Sequence, residues 1–403
     1  SLTLLPALLM FTGRRVGRVR ARTSTAREPR PGFWLRWVGL IQRRPGWAAL
    51  ASTVLLLALA APALGLRLGA SDAGNDPTNR TTRQAYDLLA TGFGSGFNGP
   101  LQVAVQLPAG GGAGDLTQLT TALRKTPGVA SVAAPQLSPA GDAAAIAVYP
   151  TSSPQSATTT SLVKQLRSDV LPPIANATGT AIFVGGATAT QVDFAHVLAG
   201  KLPLFIGLVV LLSALLLLIV FRSFVIPVQA AVMNLLSIGA ALGVVQAIFE
   251  RGWLAGLIGV QPGPIEAFIP VMVFAIVFGL SMDYEVFLAS RIHEEWQHRG
   301  DATAAVREGV ASTGRVITAA AAVMVAVFIS FAAGDDRALK LFGIAMATAV
   351  FLDAIVIRSI LMPAVLELFG RRTWAFPRSF DRRLPRLAIE PAAQAEPALE
   401  RAA

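Results

Sequence analysis

The chain has 403 residues, 53% hydrophobic and only 14% charged, and its mean hydropathy of +0.57 argues against an ordinary soluble domain. Its net charge of +10 fits the positive-inside rule of membrane proteins and requires no nucleic acid partner. The absence of cysteine excludes disulfides and thiolate metal sites, and the histidines lack metal-ligand spacing, so neither a metal nor another cofactor is expected.

The first 46 residues are an apolar stretch followed by a basic one. We interpret 1–13 as the end of a preceding transmembrane helix and 14–46 as a basic cytoplasmic linker. Residues 1–15 align without gaps on 358–372, with identities at Leu4, Pro6, Ala7, Leu9, Gly13, Arg14 and Arg15. This repeat favours an internal duplication, with the chain as the second half of a longer protein. The alternative is that many final transmembrane helices end in small, apolar and basic residues.

Apolar segments that follow are each long enough to cross a bilayer as a helix, which takes about 20 residues. Six transmembrane helices are predicted, at 47–66, 202–221, 224–249, 267–290, 316–333 and 341–366. The last five form a five-helix transmembrane domain over 202–368, and 369–403 is a cytoplasmic tail. The predicted fold class is therefore an α-helical polytopic membrane protein.

The basic residues predict how the chain is oriented in the cell membrane. They concentrate in 1–46, in 291–315 and after 368, which lie on one side if the helices alternate in direction. The positive-inside rule makes this side cytoplasmic, so both chain ends are cytoplasmic and the large segment 67–201 is extracytoplasmic. The mixed-charge segment 291–320 is predicted to be an interfacial helix leading into the fifth transmembrane helix, and a solvated linker helix is the alternative to a specific lipid site.

Segment 67–201 has the pattern of an α+β domain. Apolar alternation predicts strands near 101–107, 129–135, 143–149 and 180–186, and amphipathic stretches predict helices at 80–91, 115–125 and 157–171. After the first helix the order is β-α-β-β-α-β, which is typical of a ferredoxin-like domain.

Charged residues well inside the predicted transmembrane helices are the candidates for function. They are Asp283, Glu285, Asp353 and Arg358. A charge at bilayer depth costs at least about 2.5 kcal/mol, so such side chains usually face a protein interior or a watery cavity.

Asp283 is the strongest of these candidates. A carboxyl at this depth can take a proton from one side of the membrane and release it to the other, and the neighbouring Tyr284 can donate a hydrogen bond to it. Gly279, one turn earlier on the same face, would let another helix approach closely, and Ser290 lies two turns later. The alternative is a structural aspartate whose partners are backbone groups or hydroxyls.

The other three charges allow structural as well as functional interpretations. Glu285 lies on another face of the helix and nearer the cytoplasm, where it would snorkel or pair with an arginine. Asp353 would partner Asp283, Tyr284 or a group on a neighbouring helix. Arg358 follows Asp353 by five residues, a spacing that is poor for pairing along an α-helix, so we expect it to snorkel.

Three stretches carry a resemblance to a known family. They are "FGLSMDYEVFLASRI", "GRVITAAAAVMVAVF" and "LDAIVIRSILMPAVLELFGRR", and they resemble the MmpL family of resistance–nodulation–division (RND) transporters. The resemblance runs over nearly the whole chain. It implies a proton-driven exporter with an Asp-Tyr proton relay, here Asp283 and Tyr284, and an extracytoplasmic porter domain.

The resemblance also implies the partners. These are protons, membrane lipids, a hydrophobic or lipid substrate and the N-terminal half of the same transporter, with a homo-oligomer left open. A lipid-sensing or secretion-accessory protein of the same architecture is the main alternative. An intramembrane aspartyl protease using Asp283 and Asp353 is disfavoured by the Asp-Tyr order, and no phosphate-binding loop is present, so no enzyme is expected.

Overall fold

The computed structural model describes residues 32–107, 113–374 and 376. The predicted helix end at 1–13, its repeat with 358–372, the linker up to residue 31 and the tail beyond residue 376 lie outside the described residues.

Long helices account for most of the described chain. In chain order they are α1 (Phe33–Arg43), α2 (Pro45–Ala60), α3 (Thr81–Phe93), α4 (Ala113–Lys125), α5 (Ala157–Gln165), α6 (Leu171–Thr178), α7 (Ala187–Phe221), α8 (Val225–Phe249), α9 (Ala255–Ile258), α10 (Ile269–Arg299), α11 (Ala302–Ser330), α12 (Arg337–Leu352) and α13 (Met362–Phe369). A π-helical segment, Asp353–Leu361, joins α12 to α13 without a break.

Six of the described helices are long and apolar enough to cross a membrane, as predicted. They are Pro45–Gly65, Ala187–Phe221, Val225–Phe249, Ile269–Arg299, Ala302–Ala333 and Arg337–Trp374. The chain is therefore a multi-pass membrane protein. Helices α7 and α11 begin well before their apolar parts, because a helix can continue as a polar helix beyond the hydrocarbon region.

The predicted single helix over 291–320 is wrong. Helix α10 ends at Arg299, because Gly300 adopts a left-handed conformation with φ of 67°. Helix α11 then begins at Ala302, and the Asp301 carboxylate caps it by accepting from the Thr303 and Ala304 amides. The segment therefore divides between two long helices that meet at a sharp turn.

Residues 68–186 form an α/β region between α2 and α7. Strands β2 (Leu101–Gln106), β3 (Val129–Val132), β5 (Ala143–Pro150) and β6 (Ala181–Gly185) form one sheet in the order β3-β5-β2-β6, all pairs antiparallel, and β4 (Gln136–Leu137) also pairs with β5. The principal strands and helices follow one another as strand, helix, strand, strand, helix, strand. Their positions agree with the predicted strands and helices.

The two central strands of this sheet alternate buried and more exposed side chains, which gives the sheet one apolar face. In β2 every second residue is buried, beginning at Leu101, as expected for a strand with one apolar face. These side chains pack against apolar residues of α4 and α5 such as Leu119 and Val163. A short parallel pair, β1 (Leu68–Gly69) with β7 (Ile265–Glu266), ties the beginning of the α/β region to the segment before α10.

The transmembrane helices are not equally buried. Helix α12, the π-helical segment and α13 form one continuous rod, the C-terminal rod. In the apolar part of this rod 78% of the residues are buried, whereas only 11% are buried in the apolar parts of α2, α7 and α11. Helix α7 exposes several leucines, as expected for a surface that faces lipid: Leu204, Leu208, Leu211, Leu212 and Leu215. The rod also contains four buried charged residues, Arg337, Lys340, Asp353 and Arg358.

Candidate functional site

Helix α10 carries the Asp-Tyr-Glu triplet, and its side chains divide between a buried and an exposed face. The buried face includes Ser281 and Glu285, which are one turn apart. Asp283 and Gly279 lie on the exposed face. Residues two positions apart on an α-helix point to different sides, so the two carboxylates of the triplet have different surroundings.

Asp283 makes no hydrogen bond or ion pair with any residue that the structure describes. A Cβ placed on Gly279 would meet open space, so the predicted close approach of a helix there has no partner within residues 32–107 and 113–374. Such an approach occurs instead at Gly243 in α8, where a Cβ would overlap the carbonyl oxygen of Leu59. The Asp283 face of α10 is thus not covered by any of the described residues.

Tyr284 is partly buried, and no hydrogen bond joins its hydroxyl to Asp283. Its hydroxyl lies 3.5 Å from the sulfur of Met324 in α11, and the guanidinium carbon of Arg358 lies 5.6 Å from the centre of its ring. The phenol therefore links the open face to the buried charges by a cation–π contact.

Glu285 is 2% exposed, so the predicted snorkelling to the cytoplasmic surface is wrong. It lies on the buried face of α10, one helical turn after Ser281, whose hydroxyl contacts both Asp353 and Arg358. Its Oε1 atom has no hydrogen-bond partner among the described residues. An arginine partner was the other prediction, and Glu285 makes no ion pair or hydrogen bond with an arginine among the described residues.

Asp353 and Arg358 form a buried ion pair, so the prediction that they are poorly placed for pairing is wrong. Arg358 Nε lies 2.9 Å from Asp353 Oδ2. Both residues belong to the π-helical segment, in which positions five apart are aligned along the helix, as the hydrogen bond from Ser359 Oγ to the Ala354 carbonyl also shows. The predicted snorkelling of Arg358 is wrong for the same reason, since its side chain is 2% exposed.

Ser281 connects this ion pair to two other helices. Its Oγ lies 2.9 Å from Asp353 Oδ1 and 2.6 Å from Asn234 Oδ1 in α8, and it can donate to only one of them at a time. Arg358 Nη2 donates to the Ser281 carbonyl and hydroxyl oxygens. Asp353 was predicted to partner Asp283, Tyr284 or a group on a neighbouring helix. Its partner on a neighbouring helix is Ser281 of α10.

Sequence reasoning missed Ser281 and Asn234 because neither carries a charge. A usable signal existed for Ser281, since it stands one helical turn before Glu285 in an otherwise apolar segment. Ser290 is partly exposed and makes no side-chain hydrogen bond with a described residue, so the structure does not bring it to this cluster.

A second buried ion pair lies where the transmembrane helices meet the α/β region. Arg337 Nη1, at the start of α12, lies 2.8 Å from Glu266 Oε1 of β7, which also accepts from Ser71 Oγ at 2.5 Å. Arg337 donates further to the Phe249 and Gly263 carbonyls. These contacts attach the C-terminal rod to the segment 66–75, which leads from α2 into the α/β region and is called the entry linker below.

A cleft of about 670 Å³ lies between the entry linker, the α/β region and the beginning of α7. Its walls include Arg67, Asp72, Lys164 and His196 along with small apolar side chains. Burial, the largest cause, raises the pKa of Asp72, although hydrogen bonds from the Gly74 amide and the Tyr86 hydroxyl oppose the rise. Burial and then the Asp72 carboxylate raise the pKa of Tyr86 to about 12.

No group of histidine, aspartate and glutamate side chains suited to a metal ion occurs in the described part of the chain. The buried polar cluster of Asn234, Ser281, Glu285, Asp353 and Arg358 contains hydrogen-bonding and titratable groups only. The chemistry open to these side chains is therefore hydrogen bonding and ion pairing, with Glu285 and Asp353 as the groups that can bind a proton.

Comparison with known proteins places these features in a family. Residues 74–390 match the model of the MMPL family. The chain is 35% identical over 97% of its length to the mycolic acid-containing lipids exporter MmpL11 of Mycolicibacterium smegmatis, and 33% identical over 97% to membrane protein YdfJ of Bacillus subtilis. It is also 30% identical over 91% to the trehalose monomycolate exporter MmpL3 of Mycobacterium tuberculosis.

The chain spans about half the length of these curated relatives, covering 42%, 53% and 40% of them. Two of the three are named as exporters of lipids, and none of the three is named as an enzyme. With a match of the family model over most of its length, the chain belongs to the MMPL family.

Proposed function

We propose that this chain is half of a proton-driven exporter of lipids or other amphipathic molecules. The observation that carries the proposal is an intramembrane carboxylate, Asp283, on a helix face that no described residue covers. A carboxylate at bilayer depth is too costly to face lipid, so this face requires protein or water against it. Two relatives of this chain are named as lipid exporters, which supports the class of substrate.

The surface that covers this face is a second transmembrane half with an equivalent helix. Gly279, one turn from Asp283, leaves space for that helix to approach closely. Asp283 and Tyr284 would then lie at the contact between the halves and form the proton relay. The length of the relatives supports this arrangement, because each is about twice as long as the chain.

The α/β region is the porter domain, of the ferredoxin-like type, and lies outside the cytoplasm. Its strand order and antiparallel pairing support this assignment. The charge distribution supports the orientation, since Arg43, Arg44, Arg299 and Arg307 all lie near the ends of the helices opposite the α/β region. The cleft at the base of the porter domain would receive the polar part of an amphipathic substrate.

Movement would pass from the proton relay to the porter domain through the C-terminal rod. Tyr284 contacts Arg358 in the π-helical segment of the rod, and Arg337 at its other end bonds to Glu266 beside the linker. A change in charge beside Tyr284 would therefore bias the position of a rigid element that ends at the cleft.

The experiment is the substitution Asp283→Asn in the complete transporter. In inside-out membrane vesicles energised by a proton gradient, a fluorescent acyl lipid should accumulate with the natural protein and fall at least tenfold with the variant. The amount of protein in the membrane should not change. Accumulation at the natural rate would overturn the proposal, and lipid binding without proton-dependent accumulation would favour a lipid-sensing protein.

A further inference from the structure

We propose that Glu285 is a second proton-carrying carboxyl of this half, separate from Asp283, and that it exchanges its proton with Asp353 across the Arg358 guanidinium. The inference rests on the proposed function for its role in transport. It rests on the geometry of the buried cluster for the identity of the residue.

The first step is a count of charge. Arg358 pairs with Asp353, and Ser281, which contacts both of them, lies one turn before Glu285 on the same buried face of α10. Two buried carboxyl groups, Glu285 and Asp353, thus accompany the single cation Arg358. All three side chains are at most 5% exposed, and they lie in the middle of helices that cross the membrane. If both carboxyls were ionised, the cluster would hold an uncompensated negative charge away from water, which is costly. One carboxyl group is therefore protonated.

The second step is to find which carboxyl holds the proton. Asp353 accepts from Arg358 Nε at 2.9 Å, and its other oxygen lies 2.9 Å from Ser281 Oγ, so both oxygens have donors that stabilise the ionised form. Glu285 Oε1 has no such donor among the described residues. The proton in this arrangement is thus on Glu285.

The third step is the presence of an unused donor. Arg358 Nη1 is buried without a hydrogen-bond partner in the described part of the chain, whereas Nε and Nη2 bind Asp353 and Ser281. A guanidinium can bind two acceptors in different directions, so Arg358 can stabilise Glu285 when that group ionises. The Ser281 hydroxyl can turn from Asp353 to Asn234 at the same time.

The exchange conserves charge. When Glu285 releases its proton and Asp353 takes it up, one carboxylate and one guanidinium remain, so the cluster is neutral before and after. Asp353 binds at the level of Ser281, and Glu285 is four residues further along α10, which corresponds to about 6 Å along the helix axis. Each exchange therefore moves a proton along the direction in which the helices cross the membrane.

The groups around Glu285 define what can affect its proton. On the C-terminal rod these are Arg358 and Asp353, which contact Ser281 one turn away, and on α8 the uncharged Asn234 also contacts Ser281. Asp283 and Tyr284 are on the same helix, and Asp283 points to the opposite side. A titration of Glu285 is thus distinguishable from one of Asp283 by substitution.

The first test is infrared spectroscopy of the purified complete transporter labelled with ¹³C-glutamate. A carbonyl band of a protonated carboxylic acid that shifts with this label is expected at neutral pH. It should disappear in Glu285→Gln and persist in Asp283→Asn and in Glu294→Gln, a matched control whose carboxylate pairs with Arg291 at the surface. Absence of the band from the natural protein, or its persistence in Glu285→Gln, would overturn the proposal.

The second test is proton influx into liposomes containing the transporter after a step in external pH. Glu285→Gln should lower the influx at least tenfold, and Glu285→Asp should restore part of it with an altered pH profile. Influx unchanged in Glu285→Gln would overturn the role in transport. If Asp283→Asn has no effect while Glu285→Gln abolishes influx, the Asp283 relay fails and the inference about Glu285 stands.

Discussion

At the scale of single residues, burial divides the charges of α10 and of the C-terminal rod into two groups. Asp283 is exposed and unpaired within the described chain, whereas Glu285, Asp353 and Arg358 are enclosed by neighbouring helices. The residue types alone cannot separate these groups, because adjacent carboxylates in an apolar helix look alike in sequence. Their different surroundings follow from the faces on which they stand.

The Asp353–Arg358 pair should be strongly coupled in stability. Asp353→Ala leaves a buried guanidinium without its carboxylate, and breaking a buried pair typically costs about 3–5 kcal/mol in the free energy of unfolding. The double variant Asp353→Ala with Arg358→Ala removes both charges and should cost less than the sum of the single variants. Denaturation of the purified protein in detergent measures these values.

The exposed pair Arg291–Glu294 serves as the control for that cycle. Its side chains are 51% and 43% exposed, so Glu294→Ala should change the free energy of unfolding by less than about 1 kcal/mol. Strictly additive effects at Asp353 and Arg358 would contradict the pairing that the π-helical segment creates.

At the scale of elements, the π-helical segment shows why the sequence prediction failed at one place. Hydrophobic patterning located the sixth transmembrane helix, but the pairing rule applied to it assumed α-helical spacing. An Asp and an Arg five residues apart are misaligned on an α-helix and aligned on a π-helix. Nothing in the composition of Asp353–Leu361 distinguishes the two geometries.

The hydrogen bond between Tyr86 of α3 and Asp72 of the entry linker should depend on pH. Tyr86 in α3 donates to Asp72 at 3.3 Å, and its pKa is raised to about 12. An unfolded tyrosine titrates near pH 10, so the folded protein binds this proton more tightly. This hydrogen bond contributes its full amount to the free energy of unfolding below about pH 10, and the contribution is lost as the pH rises towards 12.

The measurement is the difference in the free energy of unfolding between the natural protein and Tyr86→Phe as a function of pH. The natural protein should lose its advantage over the variant between about pH 10 and 12, because the variant has no phenol to titrate there. A difference that does not change across this interval would contradict the shifted Tyr86 pKa. Other tyrosines and lysines titrate equally in both proteins and cancel.

At the scale of the whole molecule, six membrane-crossing helices, of which the C-terminal rod is the most buried, are joined to an α/β region. Composition and periodicity predicted the six helices and the main strands, because burial in lipid or in a sheet leaves a direct pattern in the sequence. The beginning of α7 was missed, since its polar extension before residue 202 carries no lipid signal. The ion pair Arg337–Glu266 was missed because its residues lie in different segments that only the fold brings together.

The open face at Gly279 and Asp283 connects these scales. Asp283 provides a titratable carboxylate on this face, and Gly279 leaves space for another helix. No described residue covers the face. The proposed function requires that protons reach Asp283 at this face and that their passage be coupled to the movement of an amphipathic molecule.

The most direct test is simultaneous measurement of proton influx and lipid movement in liposomes that contain the complete transporter. With a proton gradient imposed, we predict that a fluorescent acyl lipid moves only while protons flow, and that Asp283→Asn stops both while Glu294→Gln changes neither. Lipid movement that continues at the natural rate in Asp283→Asn, or that is independent of the gradient, would contradict proton-driven export through this site.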